Sequence, residues 1–446
     1  MNSNFSIIWG TRQIRNQQIL LYTACAVKQL RGLGIEANTR VAICDENSVE
    51  YIILLLALWQ LKAVAVPISP RWPEKMIIAY AARTNAQKVF YSADIKRLVC
   101  FDARQQVEAS TYKDPEVDQE VTIIATSGSS GEAKAAVLTW GNHFYNAKGS
   151  NELMELNSTD RWLLSLPLFH VAGLGILSRC LIAGAGAVIA HDEDLIVAIE
   201  KARVTHVSLV ATQLLRLLAN EDNFNLLRSL KCILIGGSAI PLCLIEQGCR
   251  LGLNIYISYG LTEMASQVAT GQVGSDQKVC VKPLAYRQVK ISKEGEILVK
   301  GQTLFKGYVT GTRLTLPLRE DDWFGTGDIG EFDPMGGLKV SGRRDSMFIS
   351  GGENVHPEEI EKALLNIKGI AEAMVVPRED KEFGHRPIAF VRFSAAPLAE
   401  QEIIRQLQES LPRFKIPVAF LPWPQHLMAQ GIKISRQDFL KNLTRR

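Results

Sequence analysis

The sequence predicts an α/β protein: a large N-terminal domain of layered α/β subdomains plus a small β-subdomain, followed by a small α+β domain. Three observations carry this. Before Gly295, helix-like and strand-like apolar runs alternate, as where the greasy stretch 52–59 leads into the strand Ala63-Val64-Ala65-Val66-Pro67-Ile68. Alternation of that kind builds α/β layers. After Gly295, short strands and Gly turns take over, the texture of a small β unit. From Ser346 onward, roughly 100 residues form a compact αβ pattern of their own.

Size and charge narrow the function classes. The 446 residues allow large buried cores. A formal charge of +4, from 50 basic and 46 acidic residues spread along the chain, gives neither a nucleic-acid stripe nor a polybasic membrane anchor. The eight cysteines contain no Cys-x-x-Cys pair and mostly sit among apolar residues, so free thiols in a reducing cytoplasm are expected. The seven histidines form no metal-ligand spacing with one another or with those cysteines, and no structural metal is expected. The first ten residues lack the basic start and apolar core of a signal peptide, and the stretch 52–59 is too short to span a bilayer. The expectation is a soluble cytoplasmic protein with small-molecule partners, no nucleic acid and no membrane insertion; a homo-oligomer is left open.

The first chemical motif is Thr126-Ser127-Gly128-Ser129-Ser130-Gly131-Glu132-Ala133-Lys134, six of whose nine residues are Gly, Ser or Thr. Apolar runs at 121–124 and 135–138 flank it, suggesting strand, loop, strand. Small residues let backbone N–H groups approach phosphate oxygens, hydroxyls add donors, and Lys134 adds a counter-charge, so a nucleoside triphosphate is the natural guest. This is not a Walker A loop, because Ala133 stands in the second Gly position and Ala135 follows the lysine. In isolation it reads first as a flexible surface turn; its partners downstream change that.

Residues 162–168 read as a strand feeding the turn 169–175, where glycines clear space beside His170 for a ligand. A lone histidine of this kind is more often simply packed. The strand 207–210 precedes an amphipathic helix carrying Arg216, and the strand 232–235 ends in Gly236-Gly237, where an open sheet binds ligand. The strand 255–258 ends in Tyr259-Gly260-Leu261-Thr262-Glu263. That supplies a ring to cover a purine, a flexible hinge, a hydroxyl for phosphate and a carboxylate for Mg2+, or else a capped helix start. Asp328, in a Gly turn, is either a turn residue or an acceptor for a ribose diol, with Arg343 reaching the same nucleotide's phosphate.

In the last part, Ser350-Gly351-Gly352 is a loop, and Pro357 with two acids opens a helix whose apolar stripe is Ile360, Ala363, Leu364 and Ile367. Strands at 373–376 and 388–393 follow, then a helix with Ile403, Ile404, Leu407 and Leu411 on one side. Lys433 sits in a short turn between apolar neighbours, and taken alone is a solvated surface group.

In this order the motifs resemble the adenylate-forming superfamily of acyl-CoA synthetases, luciferases and peptide-synthetase adenylation domains, over nearly the whole chain. Residues 126–134 resemble its phosphate loop, 259–263 its Tyr-Gly-x-Thr-Glu motif, 324–328 its Thr-Gly-Asp motif, 342–345 its hinge, and Lys433 its catalytic lysine. Ser130 replaces the usual Thr and keeps the hydroxyl; Ala133 replaces the usual Pro and loosens the loop. Within the superfamily the chain is most similar to the o-succinylbenzoate-CoA ligases of menaquinone and phylloquinone synthesis, in residues 165–173, 208–213, 381–387 and 431–437. Ala211 departs from that pattern, standing where Pro is expected.

The resemblance implies domains 1–343 and 346–446, a hinge at about 344–345, and ATP, Mg2+ and coenzyme A as cofactor and co-substrates. It implies that Thr126, Ser127, Gly128, Ser129, Ser130, Gly131 and Lys134 hold ATP phosphates, and that Gly236, Gly237, Tyr259, Gly260, Asp328 and Arg343 complete the nucleotide site. Catalysis falls to Lys433, Thr262 and Glu263, with Mg2+ on Glu263. The acid binds near His170, Thr212 and Gln213. Its unreacted carboxylate needs a counter-charge, because an unpaired buried anion costs several kcal/mol. Arg216 is the expected partner, unless it merely snorkels to solvent. After adenylation the C-terminal domain swings about Asp345, withdrawing Lys433 and bringing Gly351 and Gly352 to coenzyme A. Rival readings are a ligase of another acid, a carrier-protein-loading enzyme, or an inactive nucleotide-binding scaffold; the presence of Lys134, Thr262, Glu263, Asp328, Arg343 and Lys433 argues against the last.

Overall fold

The computed structural model describes residues 2–99, 112–126, 133–190, 194–237, 240–274, 279–350, 353–380, 383–394, 396–427 and 436–443. Two large sheets dominate the first 340 residues or so. The first runs, edge to edge, Lys282–Pro283, Ser266–Gln272, Ile255–Leu261, Cys232–Gly236, His206–Leu209, Arg161–Leu163, Gly186–Ile189, Ser6–Trp9 and Arg12–Arg15. Its six inner strands, from Ile255–Leu261 to Ser6–Trp9, are parallel. The second runs Arg313–Thr315, Gly307–Thr310, Lys134–Thr139, Glu120–Thr126, Val64–Ile68, Arg40–Cys44 and Lys88–Tyr91.

Strand periodicity explains how these sheets are covered on both faces. Ile7, Trp162 and Leu234 of the first sheet share one core with Val41, Ile43 and Ala65 of the second. Their neighbours point the other way. Ile8, Val207, Ile233 and Ile235 pack against the outer helices through Leu214, Leu217 and Leu244, while Ala42, Cys44 and Val66 meet Ile77 and Tyr80. The helix Val49–Gln60 is buried at Val49 and from Tyr51 to Trp59. Being largely apolar suits its place in the shared core, and its buried Trp59 Nε1 donates to the Val121 carbonyl at 3.1 Å.

A four-stranded sheet, Arg287–Ile291, Glu296–Gly301, Phe324–Phe332 and Leu338–Arg343, is the small β unit. It starts before Gly295, and not every strand that follows Gly295 belongs to it. Gly307–Thr310 and Arg313–Thr315 join the second large sheet instead, Gly307–Thr310 pairing with Lys134–Thr139. Beyond Phe348 a separate sheet carries apolar residues on both faces, Val375, Ala389 and Val391 on one and Val376, Ile388 and Phe390 on the other. The chain is thus mixed α/β, as expected.

Several local expectations need correction. The strand expected over 162–168 covers only Arg161–Leu163. Beyond it the backbone is satisfied by a side chain: Asn47 donates to the carbonyls of Leu164 (3.1 Å) and Leu166 (2.9 Å) and accepts from Leu168 N–H (2.8 Å). The turn expected over 169–175 is largely the start of the helix Val171–Ala183, with His170 at its N-cap position. Gly173 is there for close packing, since a Cβ would stand 2.2 Å from the Pro167 carbonyl oxygen. Asp328 lies inside the strand Phe324–Phe332, directly opposite Arg343, and the turn-like glycine pattern reflects Gly327 at φ +76°. The C-terminal strands extend into a hairpin, Ile370–Asp380 with Gly384–Phe393. No described helix is long and apolar enough to cross a membrane, and the seven described cysteines form no disulfide.

Candidate active site

Five neighbouring strands of the first sheet deliver their ends to one edge. Arg161–Leu163, His206–Leu209, Cys232–Gly236 and Ile255–Leu261 lie side by side and parallel. Their C-terminal ends lead to His170, to Thr212 and Gln213, to Gly236 and Gly237, and to Tyr259, and Ser266–Gln272 returns along the last of them. That edge of an open α/β sheet is where ligands bind. Gly236 faces Ser258 across the ladder, and Gly237 leaves the strand at φ +87°.

Gly260 is not a hinge. A Cβ there would be 2.1 Å from the Ser266 carbonyl oxygen, so glycine is required by the returning strand. The reversal is tight, with Ala265 at φ +56° and Ser266 at φ +121°, conformations that non-glycine residues adopt only when their surroundings enforce them. Thr262 and Glu263 lie in the short 3-10 turn Thr262–Met264 whose N-cap is Leu261, so Thr262 is not a helix cap, and its side chain has no hydrogen-bond partner among the described residues.

The hairpin Glu120–Thr126 and Lys134–Thr139 sets Thr126 opposite Lys134, so the loop leaves and returns at facing positions. Residues 127–132, with Ser127, Gly128, Ser129, Ser130 and Gly131, lie outside the described residues. Behind the hairpin, buried His143 meets Thr122 Oγ1 through Nε2 at 2.8 Å. Lys134 is exposed, and its Nζ stands 5.1 Å from the ring centroid of Tyr308. The Tyr308 hydroxyl donates to Glu263 Oε1 at 2.6 Å. Burial first, then the Glu263 charge, pushes the Tyr308 phenol far up, so it remains a donor at ordinary pH. The hairpin lysine, an aromatic ring and the motif carboxylate are therefore in one cluster.

A second cluster runs the other way. Tyr259 donates to Asp328 Oδ2 at 2.5 Å, and Arg343 Nη1 donates to Asp328 Oδ1 at 3.2 Å. Arg343 also holds Asp345, at 3.0 Å through Nε and 3.1 Å through Nη2, and the Thr326 carbonyl at 3.0 Å. Burial raises the Asp328 carboxyl against the pull of Tyr259 and Arg343. Arg343 is thus spent bridging Asp328 to Asp345, where a group free to bind the nucleotide's phosphate was expected. Beneath it, Glu296, buried, accepts from Gly327 N–H at 3.0 Å and pairs with Arg319 and with Arg344 at 3.0 Å.

The acid-binding expectations divide. Gln213 uses its carbonyl oxygen to cap its own helix, accepting from Val210 N–H at 3.0 Å. Arg216 is exposed and has no ion pair among the described residues. The desolvated cation is Arg179, 1% exposed, which donates to Gln267 Oε1 at 2.6 Å and lies 4.9 Å from the Trp162 ring centroid. It has no carboxylate partner among the described residues, its Nε is unsatisfied, and burial lowers it to about 10. A Cβ on Gly175 would stand 3.3 Å from both Arg179 Nη2 and Ser266 Oγ, so Gly175, unlike Gly173, leaves space between two polar groups. Buried Arg287 is different, spending itself on the carbonyls of Ala285, Gln267 and Asn146.

Sequence reasoning missed Arg179, Tyr308, Glu296 and Asn47. The signal for Arg179 was a lone arginine in the apolar run 174–182. The others had none, because their partners are remote in sequence. In the C-terminal unit Lys433, Gly351 and Gly352 lie outside the described residues. Arg436 is held by the Val375 carbonyl (2.8 Å), Ser346 Oγ (3.1 Å), Glu358 (2.9 Å) and Glu361 (2.5 Å).

Among the described residues no group of three or more His, Cys, Asp or Glu side chains could hold a metal ion. Mg2+ does not need one, since with nucleotides it takes one or two carboxylates and completes its shell from phosphate and water. Glu263, with Oε1 engaged by Tyr308 and Oε2 without a hydrogen-bond partner among the described residues, fits that role.

The chain matches the family model for AMP-binding enzymes over residues 17–309 and that for the AMP-binding enzyme C-terminal domain over 359–426. It is 37% identical over 421 residues to a 2-succinylbenzoate–CoA ligase of Haemophilus influenzae, covering 94% of this chain and 90% of that one. The solved o-succinylbenzoate CoA synthetase of Bacillus subtilis in complex with its acyl-adenylate intermediate superposes with a TM-score of 0.82, at 27% identity and 96% coverage of each chain. The same enzyme with ATP and magnesium gives 0.80, at 28% identity and 94% and 92% coverage. The chain belongs to the AMP-binding enzymes.

Proposed function

We propose that this chain is a 2-succinylbenzoate–CoA ligase, converting the acid, ATP and coenzyme A into 2-succinylbenzoyl-CoA, AMP and diphosphate in menaquinone or phylloquinone synthesis. The observation that carries it is the whole-length likeness to a ligase of that name. A carboxylate is a poor electrophile, so the succinyl carboxylate first attacks the ATP α-phosphorus. A P–O bond forms there as the bond to the β-phosphate breaks and diphosphate leaves. The coenzyme A sulfur, having lost its proton, then attacks the acyl carbon and AMP leaves.

Residues take the following roles. Lys134 and the loop ending at it face the leaving phosphates, Thr262 donates its free hydroxyl to phosphate, and Tyr259 lies against the base. Asp328, fixed by Tyr259 and Arg343, accepts from the ribose diol; Gly236, Gly237 and Gly260 let backbone approach the nucleotide. Mg2+, when bound at Glu263, neutralises charge that gathers on the phosphate oxygens. Lys433 adds a cation at the α-phosphate during adenylation. The units 1–343 and 346–446 meet at 344–345, and the second swings there to bring Gly351 and Gly352 to coenzyme A.

The benzoate carboxylate that does not react needs a desolvated counter-charge. Arg179 meets that requirement already, being desolvated, whereas Arg216 stands exposed and would be desolvated only by the acid itself. Arg179 lies nine residues along its helix from His170, about 13 Å at 1.5 Å per residue. His170, Thr212 and Gln213 line the approach. The compartment is the cytoplasm, consistent with described cysteines that form no disulfide, and the partners are small molecules rather than nucleic acid. The test is mass detection of 2-succinylbenzoyl-CoA from purified protein with ATP, Mg2+, coenzyme A and the acid. Absence of product, with ATP–diphosphate exchange driven by a different acid, would replace the substrate and keep the reaction class.

A further inference from the structure

Tyr308 belongs to none of the motifs, yet its side chain touches both charged groups of the first cluster, Glu263 and Lys134. It sits on Gly307–Thr310, an outer strand that pairs with the hairpin strand Lys134–Thr139, with Tyr308 opposite Ala136. Its hydroxyl donates to Glu263 Oε1 at 2.6 Å, while its ring face lies 5.1 Å from Lys134 Nζ. The ring is itself fixed edge-on by Phe305, at 4.8 Å and 70°. The Phe305 N–H donates to the Glu263 backbone carbonyl at 2.8 Å, so Glu263 is tied to this segment through both its side chain and its backbone.

The consequence follows from what magnesium demands. The ion wants oxygen ligands near 2.0–2.1 Å in almost ideal octahedral geometry, so a carboxylate that rotates freely is a poor ligand. A phenol donating to one carboxylate oxygen makes a charge-assisted bond, fixes the plane of the group and leaves Oε2 for the metal. Groups that orient metal ligands in this way typically change metal affinity or activity 10- to 100-fold when removed. The same ring gives the flexible Lys134 stem a preferred seat, beside the phosphates that share the metal.

We infer that Tyr308 is a positioning residue of the magnesium–ATP site, aiming Oε2 of Glu263 at the metal through its hydroxyl and seating Lys134 on its ring. This rests on Glu263 as the magnesium ligand. The test uses the full chain without the acid, so that ATP binds and does not react. Calorimetry gives the ATP Kd with saturating Mg2+ and with EDTA, and circular dichroism gives Tm. Tyr308→Phe keeps the ring, the Phe305 contact and the lysine seat. It should leave the Kd in EDTA within twofold of wild type, leave Tm nearly unchanged, and reduce the strengthening by Mg2+ about tenfold. Tyr308→Leu should also weaken binding in EDTA. In a Glu263→Gln background, Tyr308→Phe should have no further effect on the magnesium dependence, because the group it orients is gone. Wild-type magnesium dependence that survives in Tyr308→Phe overturns the inference alone. A wild-type chain whose ATP affinity ignores Mg2+ overturns the reading of Glu263 and the inference with it.

Discussion

Replacing Arg179 by methionine is expected to lower kcat/KM for 2-succinylbenzoate by roughly 10- to 150-fold while changing stability by no more than about 2 kcal/mol. The two effects separate because of what surrounds the guanidinium. It is 1% exposed, and its described partners are a neutral amide oxygen at 2.6 Å and an indole face at 4.9 Å. Losing the hydrogen bond to Gln267 costs about 1.5–3 kcal/mol, and losing the ring contact up to about 2 kcal/mol. Removing a desolvated charge with no carboxylate beside it offsets several kcal/mol. The net change in the free protein is therefore expected within about 2 kcal/mol. With substrate bound, the lost charge-assisted contact is worth about 1.5–3 kcal/mol, or one to two decades. Diphosphate release measures kcat/KM, and thermal unfolding with and without saturating acid measures the rest. The wild type should gain Tm from the acid, and Arg179→Met should lose most of that gain. Arg216→Leu should cost threefold at most, since an exposed ion pair contributes about 0–1 kcal/mol. An Arg179→Met enzyme at wild-type kcat/KM, beside an Arg216→Leu enzyme down tenfold, would refute the burial argument and restore Arg216.

Lys433→Ala should nearly abolish ATP–diphosphate exchange yet leave thioester formation from supplied acyl-adenylate largely intact; equal loss in both would count against a two-position mechanism. Asp345→Pro fixes φ at the hinge and should impair the two half-reactions unequally, so unchanged rates in both would move the pivot elsewhere. Burial lowers the buried His143 from 6.5 to about 4, because protonation would leave its unsatisfied Nδ1 as a buried N–H without an acceptor. The unfolded chain then takes up the proton first, so this contribution is complete above about pH 6.5 and falls by up to about 3 kcal/mol as pH drops towards 4. Burial also lowers His206, so His143→Gln should remove roughly half of that acid slope in denaturant titrations, and an unchanged slope would exclude His143 as a source.

Legibility in the sequence followed the range of the forces involved. The alternating core strands were legible because burial on both faces writes itself as short apolar runs, and the greasy helix Val49–Gln60 for the same reason. Residues 162–168 were misread because their backbone partners come from Asn47, over a hundred positions away, which no local pattern announces. Gly173 and Gly260 look like freedom in the sequence, yet in the fold they are close approaches to the Pro167 and Ser266 carbonyls. The motif carboxylates were visible as residues, but their states were not. Whether Asp328 is free depends on Tyr259 and Arg343, which only the sheet register brings together. Arg216 drew notice because leucines surround it in sequence, but on a helix such neighbours spread over all faces. Burial selects by the 3.6-residue turn, so Leu214, Leu217 and Leu218 face inward while Arg216 faces out.

The register Asp328 opposite Arg343 also bears on how the second unit is released. Tyr259, Asp328, Arg343 and Asp345 form one hydrogen-bonded path from the ring expected against the base to the proposed pivot. Its two ends differ in strength. The Tyr259–Asp328 contact is largely buried, where a charge-assisted hydrogen bond is costly to break. The Arg343–Asp345 pair has side chains 45% and 36% exposed, and a pair so open to solvent contributes only about 0–1 kcal/mol. A swing about Asp345 can therefore dissolve the outer link at little cost while the inner link keeps Asp328 in the orientation proposed for holding the ribose. Asp345→Ala separates these ends. It should leave ATP affinity within about twofold and raise the rate of exchange between the two positions of the C-terminal unit, read by a fluorophore pair across the hinge. Tyr259→Phe should do the reverse, weakening ATP binding about tenfold with the hinge rate unchanged. If both variants altered ATP affinity alike, the path would be a single rigid unit, and the hinge would have to turn on the far side of Asp345.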